Sequence, residues 1–460
     1  MSKGSLLNRT EDLANFVVES CFENLPEEVI KASKKCLLDW IGVTLIGAED
    51  FSIRILIDLM EEMGGQRQAT ILGYGKKTNV LNAALINGTA SHILDYDDAH
   101  EGTRSHPSAP LIPALLAISE YKNLSGSEFI TAFVLGIEVS TRIGLTLGKS
   151  YYNLGWHATP ILGRFGVAAG VGKLLKLNED RLAVAFGLAA TNAGGLRRVF
   201  GTMGKSFHAG KAAMDGMLSA LLSEKGFTAP GDIFDGAPSF FEMFSGEHDP
   251  NEMIRGLGKD YQILKNSFKL YAACLLTHAA IDGLIWMRRE FNFHSGSVEQ
   301  IELEVCPACL AVTENTNPRS ALEGKFSIYF CAALALEKGE VKESHFTQKL
   351  IDDERIRGLM KKITVIRNES FEESEAHIRV KLKNGTQHSH HVVAPKGDPR
   401  NPLSFEEIIE KFEDLNSTVL SRRRMTRMID LIQNLEKLQN LSELIRLCRV
   451  DRDLLRRTTA

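Results

Sequence analysis

The stretch HILDYDDAHEGTRSHPS, residues 92–108, crowds three carboxylates and three imidazoles into one short segment. Asp95, Asp97 and Asp98 lie among His92, His100 and His106. Such residues can ligate a metal, run acid–base chemistry with a carboxylate orienting a ring, or form a solvated loop. A metal site needs donors on one rigid face. Neither HExxH nor the EF-hand spacing is present, and Asp98 with His100 is the nearest approach to a cation pair. The acids follow the small-residue helix NGTAS, and SHPSAPLIPALLA starts a second apolar helix with prolines near its beginning. The acids and His106 are therefore expected at the ends of two buried helices. Placement at helix ends does not by itself say which of the three aspartates does chemistry.

Other polar residues stand out against apolar surroundings. In GWHATP, His157 precedes a small-residue helix, as either a core histidine or a reacting one. In RRVFGTMGKSFHAGKAA, Lys205 sits in a glycine-rich turn that enters a helix. A P-loop is excluded there, because its leading glycine would fall at Val199 and no strand precedes it. A lysine at a helix N-terminus opposes the macrodipole, and an anionic ligand would satisfy both. In NSFKLYAACLLTH, Lys269 lies close to Tyr271, Cys274 and His278, and serves equally as a surface group or as a ligand for an anion. NPRSALEGKFSIYF adds Arg319 and Tyr329. Arg104 and Arg142 are carboxylate clamps by residue type alone. HSHH at 388–391 follows a hairpin turn, so its rings alternate faces and are expected to be exposed. Cys306 and Cys309 form a single CxxC, too few thiols for a structural zinc site, and read as small residues at a strand end.

These groups need a scaffold. The chain has 460 residues, more than one core usually supports, so two domains are expected. A net charge of −4 supplies no basic field for nucleic acid or a membrane surface. Seven scattered cysteines fit a reducing compartment better than a disulfide framework. The start of the chain lacks the apolar core of a signal peptide, and no stretch reads as the roughly 20 uninterrupted apolar residues of a membrane helix, so a cytoplasmic protein is expected. Apolar residues recur at helical spacing from residue 10 to about 265. EQIELEV, KKITVIR and AHIRVKLKNGTQHSHHVV then read as strands, the last a hairpin turning at Asn384-Gly385. The predicted class is mainly α: a large all-helical, discontinuous domain over 1–265 and 403–460, plus a smaller α+β domain over 266–402.

The order NGTASHILDYDD, HPSAPLIPALLA, GWHATP, GTMGKSFHAGKAA, FKLYAACLLTHAA, FSIYF and PKGDPRNPLS resembles the MmgE/PrpD family over nearly the whole chain. That family includes 2-methylcitrate dehydratase, cis-aconitate decarboxylase and iminodisuccinate epimerase. The resemblance implies a homodimer and a site between the domains that needs no metal or organic cofactor. It carries the family's catalytic positions onto Asp95, His106, His157, Lys205, Lys269 and Tyr329, which leaves Asp97, Asp98 and His100 as expected scaffold or rim. Arg104, Arg142, Cys274 and His278 are added here as substrate-binding candidates. Two positions depart from the decarboxylase pattern: Ala99 stands where a threonine follows the acidic run, and Cys274 where a histidine follows the lysine. SHPSAP likewise departs from the Cys-His-Pro-Ser-Asp-Asn of the dehydratases.

The chemistry implied is removal of a proton α to a carboxylate, which gathers a second negative charge that preorganised cations must stabilise. Lys205 and Lys269 suit that role, His106 and His157 suit general base and acid, Asp95 would orient a histidine, and Tyr329 would donate a hydrogen bond. The leading expectation is a metal-independent dehydratase, 2-methylcitrate dehydratase-like, acting on a small di- or tricarboxylic acid. A cis-aconitate-type decarboxylase or a carboxylate epimerase shares the first step. A non-catalytic carboxylate-binding protein on the same scaffold is the alternative from another class.

Overall fold

The computed structural model describes residues 8–451. Residues 1–7, part of the start read above for a leader, and residues 452–460, the end of the predicted helical domain, lie outside the described residues. The chain divides into two units. The larger takes residues 8–93, 97–266 and 405–451, and the smaller takes 94–96 and 267–404. The architecture is mainly α, a large helical part with a smaller α+β part.

Seven helices make the body of the larger unit: α1 (Glu27–Gly47), α2 (Val80–Ser91), α3 (Ser108–Lys122), α4 (Gly126–Leu147), α5 (Ala158–Leu174), α6 (Glu179–Thr191) and α7 (Met203–Glu224). α2, α3 and α5 are buried on nearly every side, so their sequences are small and apolar all round instead of amphipathic. Glycine lets their backbones meet. A Cβ on Gly210 of α7 would stand 2.1 Å from the carbonyl oxygen of Leu85 in α2. A Cβ on Gly166 of α5 would stand 2.6 Å from the carbonyl of Gly136 in α4. The core between α4, α5 and α6 is filled by Leu135, Val139, Phe165 and Phe186, with Phe234 from a later loop and Phe240 and Phe241 from the short helix Phe240–Phe244. After residue 404 the chain returns through the helix Phe405–Asn416, where Lys411 Nζ lies 2.6 Å from Asp39 Oδ1 of α1 in a fully buried ion pair.

Helix starts differ in a way that bears on the site. Asn79 caps α2 and Asn178 caps α6 with their side chains, and Ser125 forms a capping box with Glu128 at α4. Pro107 and His157, at the starts of α3 and α5, make no side-chain cap bond. None of α3, α5 and α7 carries an acidic residue in its first turn, whereas α1, α4 and α6 do.

α4 is 22 residues long and apolar enough by length and composition to cross a membrane, but almost all of it is buried inside the protein. Its interior holds Glu138 and Arg142, paired at i,i+4, which break the apolar run in the sequence.

The smaller unit centres on a mixed sheet of β1 (Val298–Val305), β2 (Ile363–Arg367), β3 (Ala376–Leu382) and β4 (Gln387–Val392), in the order β2-β1-β3-β4. β1 runs parallel to β2 and antiparallel to β3. Ala376, Ile378, Val380 and Leu382 alternate inward along β3. The hairpin turns at Asn384-Gly385, with Gly385 at φ +88°, as that dipeptide predicts. The HSHH rings do alternate faces, but His388 and His390 are half-buried, stacked 4.0 Å from Phe291 and Trp286. Cys306 caps the helix Pro307–Thr313, its sulfur accepting from the Cys309 amide.

Candidate functional site

α2 ends in the larger unit at Ser91, and His92 is its C-cap. The chain then runs without long regular structure to Pro107, where α3 begins. This irregular path folds Asp97 back on the end of α2. His92 Nδ1 lies 2.8 Å from Asp97 Oδ2, and His106 Nδ1 lies 3.3 Å from the same oxygen. His106 Nδ1 also lies 2.8 Å from the carbonyl oxygen of Asp98. A carbonyl only accepts, so Nδ1 of His106 carries the hydrogen, and Nε2 holds the lone pair when the ring is neutral. The His106 amide donates to Thr159 Oγ1, 3.1 Å away, tying the start of α3 to the first turn of α5.

Asp97 is completely buried. Burial alone would raise its carboxyl, but the imidazoles of His92 and His106 outweigh it and hold the group well below the usual carboxylate range. Burial pushes His92 down to about 4, Lys205 adding to the push and Asp97 opposing it. Asp98 faces another way: its Oδ2 accepts from Ser108 Oγ at 2.6 Å and Asn266 Nδ2 at 2.8 Å. Burial, with Asp97 and Asp39 nearby, lifts it to about 7.

His157 holds the N-cap position of α5, its amide pinned to the carbonyl of Gly195 at 2.9 Å. Its ring stacks 6.2 Å from that of His92 and meets Phe200 edge-on at 4.9 Å. Its Nδ1 is 3.0 Å from Nδ1 of His208 in α7. Burial, then the charges of His92, Lys205, His208 and His106, hold His157 well below the usual imidazole range. Lys205, in the first turn of α7, is buried, with its ammonium 5.5 Å from the centre of the Phe200 ring. Imidazoles, one buried carboxylate and one lysine thus share a cluster at the starts of α3, α5 and α7.

The smaller unit holds a second polar group. Lys269 is buried, and its ammonium donates to the backbone carbonyl of Asp95 at 2.7 Å and lies 3.2 Å from Asp95 Oδ1. Asp95 adopts a left-handed backbone, φ +54°, uncommon outside glycine and asparagine. The ammonium of Lys325 donates to the Leu94 carbonyl at 2.7 Å and Tyr96 to that of Leu270 at 2.8 Å, so residues 94–96 are held from several sides. Tyr329 is half-buried in the first turn of the helix Ile328–Lys338, and burial, then Glu314, raises its phenol. Cys274 is buried, its amide on the Lys325 carbonyl. His278 is buried beside Tyr271, ring centroids 5.1 Å apart.

The structure therefore gathers His106, His157 and Lys205 in one cluster, and joins Asp95 to Lys269. It corrects the role given to Asp95: the carboxylate that orients histidines is Asp97, which the sequence reading had left as scaffold. Arg142 is no clamp for a ligand. Its guanidinium is taken up by Glu138 and the carbonyls of Arg255, Gly256 and Asp260. Arg104, with φ +52°, lies over the Tyr152 ring at 4.9 Å. His92, Asp97 and His208 were missed. Lys205 and His208 stand three apart on α7, a spacing that shares a helix face. For His92 and Asp97, five apart across a helix end, no periodicity applies.

His92, Asp97 and His106 offer ligand atoms within 4.8 Å of one another, a spacing that can hold a cation. Nδ1 of His106 points at a carbonyl and Nδ1 of His92 at a carboxylate, so those two nitrogens are taken up in hydrogen bonds, while Nε2 of each ring keeps a lone pair. The contacts are those of hydrogen-bonded imidazoles.

A buried carboxylate against imidazoles, with a lysine beside them on a helical bundle, is an arrangement that acid–base chemistry can use. The chain matches the MmgE/PrpD N-terminal domain over residues 11–253 and the MmgE/PrpD C-terminal domain over 271–437, and it belongs to the MmgE/PrpD family. It is similar to the cis-aconitate decarboxylase-like protein oryM of Aspergillus oryzae, 28% identical over 93% of this chain and 95% of that protein. It is also similar to the cis-aconitate decarboxylases of Aspergillus terreus, 26% identical over 93% of each chain, and of Mus musculus, 27% identical over 96% of this chain and 93% of that one. The chain is a lyase of this family.

Proposed function

We propose that the chain decarboxylates a small unsaturated tricarboxylate of the cis-aconitate type, using its own side chains. The observation that carries this reading is the cluster of His106, His157 and Lys205 around the Asp97-oriented imidazoles, together with the starts of α3, α5 and α7. Three helix N-termini that lack first-turn acids leave their partial positive charge for an anion. Lys205 adds a full charge. In the reaction the bond from carbon to the departing carboxylate breaks, and its electrons form a new double bond. The far carbon of the old double bond then takes a proton. Lys205 and the helix ends stabilise the charge that builds on the remaining carboxylates. His106 or His157 delivers the proton. The names of the similar proteins turn the expectation from dehydration towards decarboxylation.

Dehydration of a hydroxy tricarboxylate is the second reading. Ala99, where the decarboxylase pattern has threonine, favours it, as do two histidines able to serve as base and acid. Proton NMR in heavy water with cis-aconitate, citrate and 2-methylcitrate separates the readings. Loss of carbon dioxide with one deuteron on the product carbon supports the first, and loss of water from a hydroxy acid supports the second. No change in any of the acids overturns both.

A further inference from the structure

We propose that His208 is a proton relay between His157 and solvent, a role that rests on the reading above. His157 is 2% exposed, and among the described residues its ring hydrogen-bonds to Nδ1 of His208. His208 is partly exposed. Two Nδ1 atoms 3.0 Å apart share one hydrogen, so the tautomer of one ring sets that of the other. Decarboxylation consumes one proton per turnover, and a buried imidazole must recover it from water.

The step balances. His157 gives the hydrogen on Nε2 to the substrate carbon while the hydrogen on Nδ1 of His208 crosses to Nδ1 of His157. His208 takes a proton from solvent at Nε2. Both rings begin and end neutral. Once product has left, a water on the substrate side returns a proton to Nε2 of His157, the hydrogen on its Nδ1 crosses back to Nδ1 of His208, and His208 releases its Nε2 hydrogen to solvent, which restores the starting tautomers. The surroundings favour neutral rings. His92, His106 and Lys205 face His157 along with His208, and Arg164 of α5 faces His208. Arg164 is itself held by Asp215 at 3.0 Å and by the carbonyls of Pro160 and Gly194. The loop glycine beside the pair, Gly195, has φ +136°, and a Cβ there would stand 2.6 Å from the Pro160 ring.

The test compares the full-length protein with His208→Gln and with His157→Gln. For His208→Gln we expect kcat to fall about a hundredfold, the low end of what a positioned proton carrier contributes. KM should change little, the solvent isotope effect on kcat should rise, and added imidazole should restore part of the rate. Nitrogen-15 NMR of the free protein needs no substrate. In the native chain the His157 and His208 Nδ1 signals should shift together, and His208→Gln should change the His157 tautomer. Full kcat and an unchanged isotope effect in His208→Gln, with His157→Gln inactive, overturn the relay while leaving the lyase reading intact. Independent Nδ1 signals in the native chain overturn it as well, whatever the substrate proves to be.

Discussion

His92 and His106 direct their Nδ1 atoms at a single oxygen of Asp97, 2.8 and 3.3 Å away, with His92 and Asp97 buried and His106 partly exposed. One carboxylate thus sets the tautomers of two imidazoles, and the other nitrogen of each ring is left for chemistry. The arrangement follows the logic by which a third group orients a base.

Asp97→Asn should keep the shape and lose the orientation, because an amide can offer its NH2 to the rings in place of an acceptor. On the identified acid, kcat should fall on the order of 10²–10⁴, the range in which such orienting carboxylates act. Circular dichroism checks that the variant folds. A rate near that of the native chain would remove Asp97 from the site.

Acid should destabilise the helical unit, and His92 should be part of the reason. Its folded-state value of about 4 lies below the unfolded 6.5, so its stabilising effect is present above pH ~6.5 and lost as pH falls toward 4. Asp97, held below its usual value, extends the loss to lower pH. Asp98 works in the opposite sense. Raised to about 7, it contributes stability below the unfolded carboxylate value near pH ~4 that is lost as pH rises to 7. Thermal melting from pH 4 to 8 should therefore show a shallower acid limb in His92→Gln and a gain at pH 8 in Asp98→Asn.

Lys269→Met should destabilise the smaller unit by about 3–5 kcal/mol, because it strands the buried Asp95 carboxylate. The double variant Asp95→Asn, Lys269→Met should recover much of that loss in urea unfolding. If the single variant melts like the native chain, the pair is not a structural one.

Gly210→Ala forces a methyl onto the Leu85 carbonyl, and α7 must move away from α2, carrying Lys205 with it. Overpacking of this kind costs about 1–3 kcal/mol or more. The melting temperature and kcat should fall together. An ordinary melting curve with full activity would show that the helices can part without disturbing the site.

Chelators should leave the rate unchanged, since the proposed chemistry uses imidazoles and a lysine. Activity lost to chelation and restored by a divalent cation would instead give His92, Asp97 and His106 to a metal.

Much of this was legible in the chain. The small-residue helices, the switch to strand patterning, the Asn384-Gly385 turn and the return to helix after the Pro/Gly stretch all follow from local rules of spacing and backbone conformation. So did the candidacy of His106, His157, Lys205 and Lys269, each a polar group that breaks an apolar pattern. Arg142 was misread although its i,i+4 partner Glu138 stood in the same helix, a signal that could have been used. His208 carried a similar signal in its spacing from Lys205.

The sequence by itself determined which residue types border the buried helices, because burial leaves its mark on composition. It could not say which of three neighbouring aspartates meets which partner. Along a helix or strand, side-chain direction repeats with a known period, but residues 93–107 follow no sustained period. The left-handed turn at Asp95 redirects the chain there. Asp95 ends on Lys269, Asp97 between His92 and His106, and Asp98 on Ser108 and Asn266. Only the tertiary path of the backbone decided that, since the partners of such a loop come from helices far away in the chain.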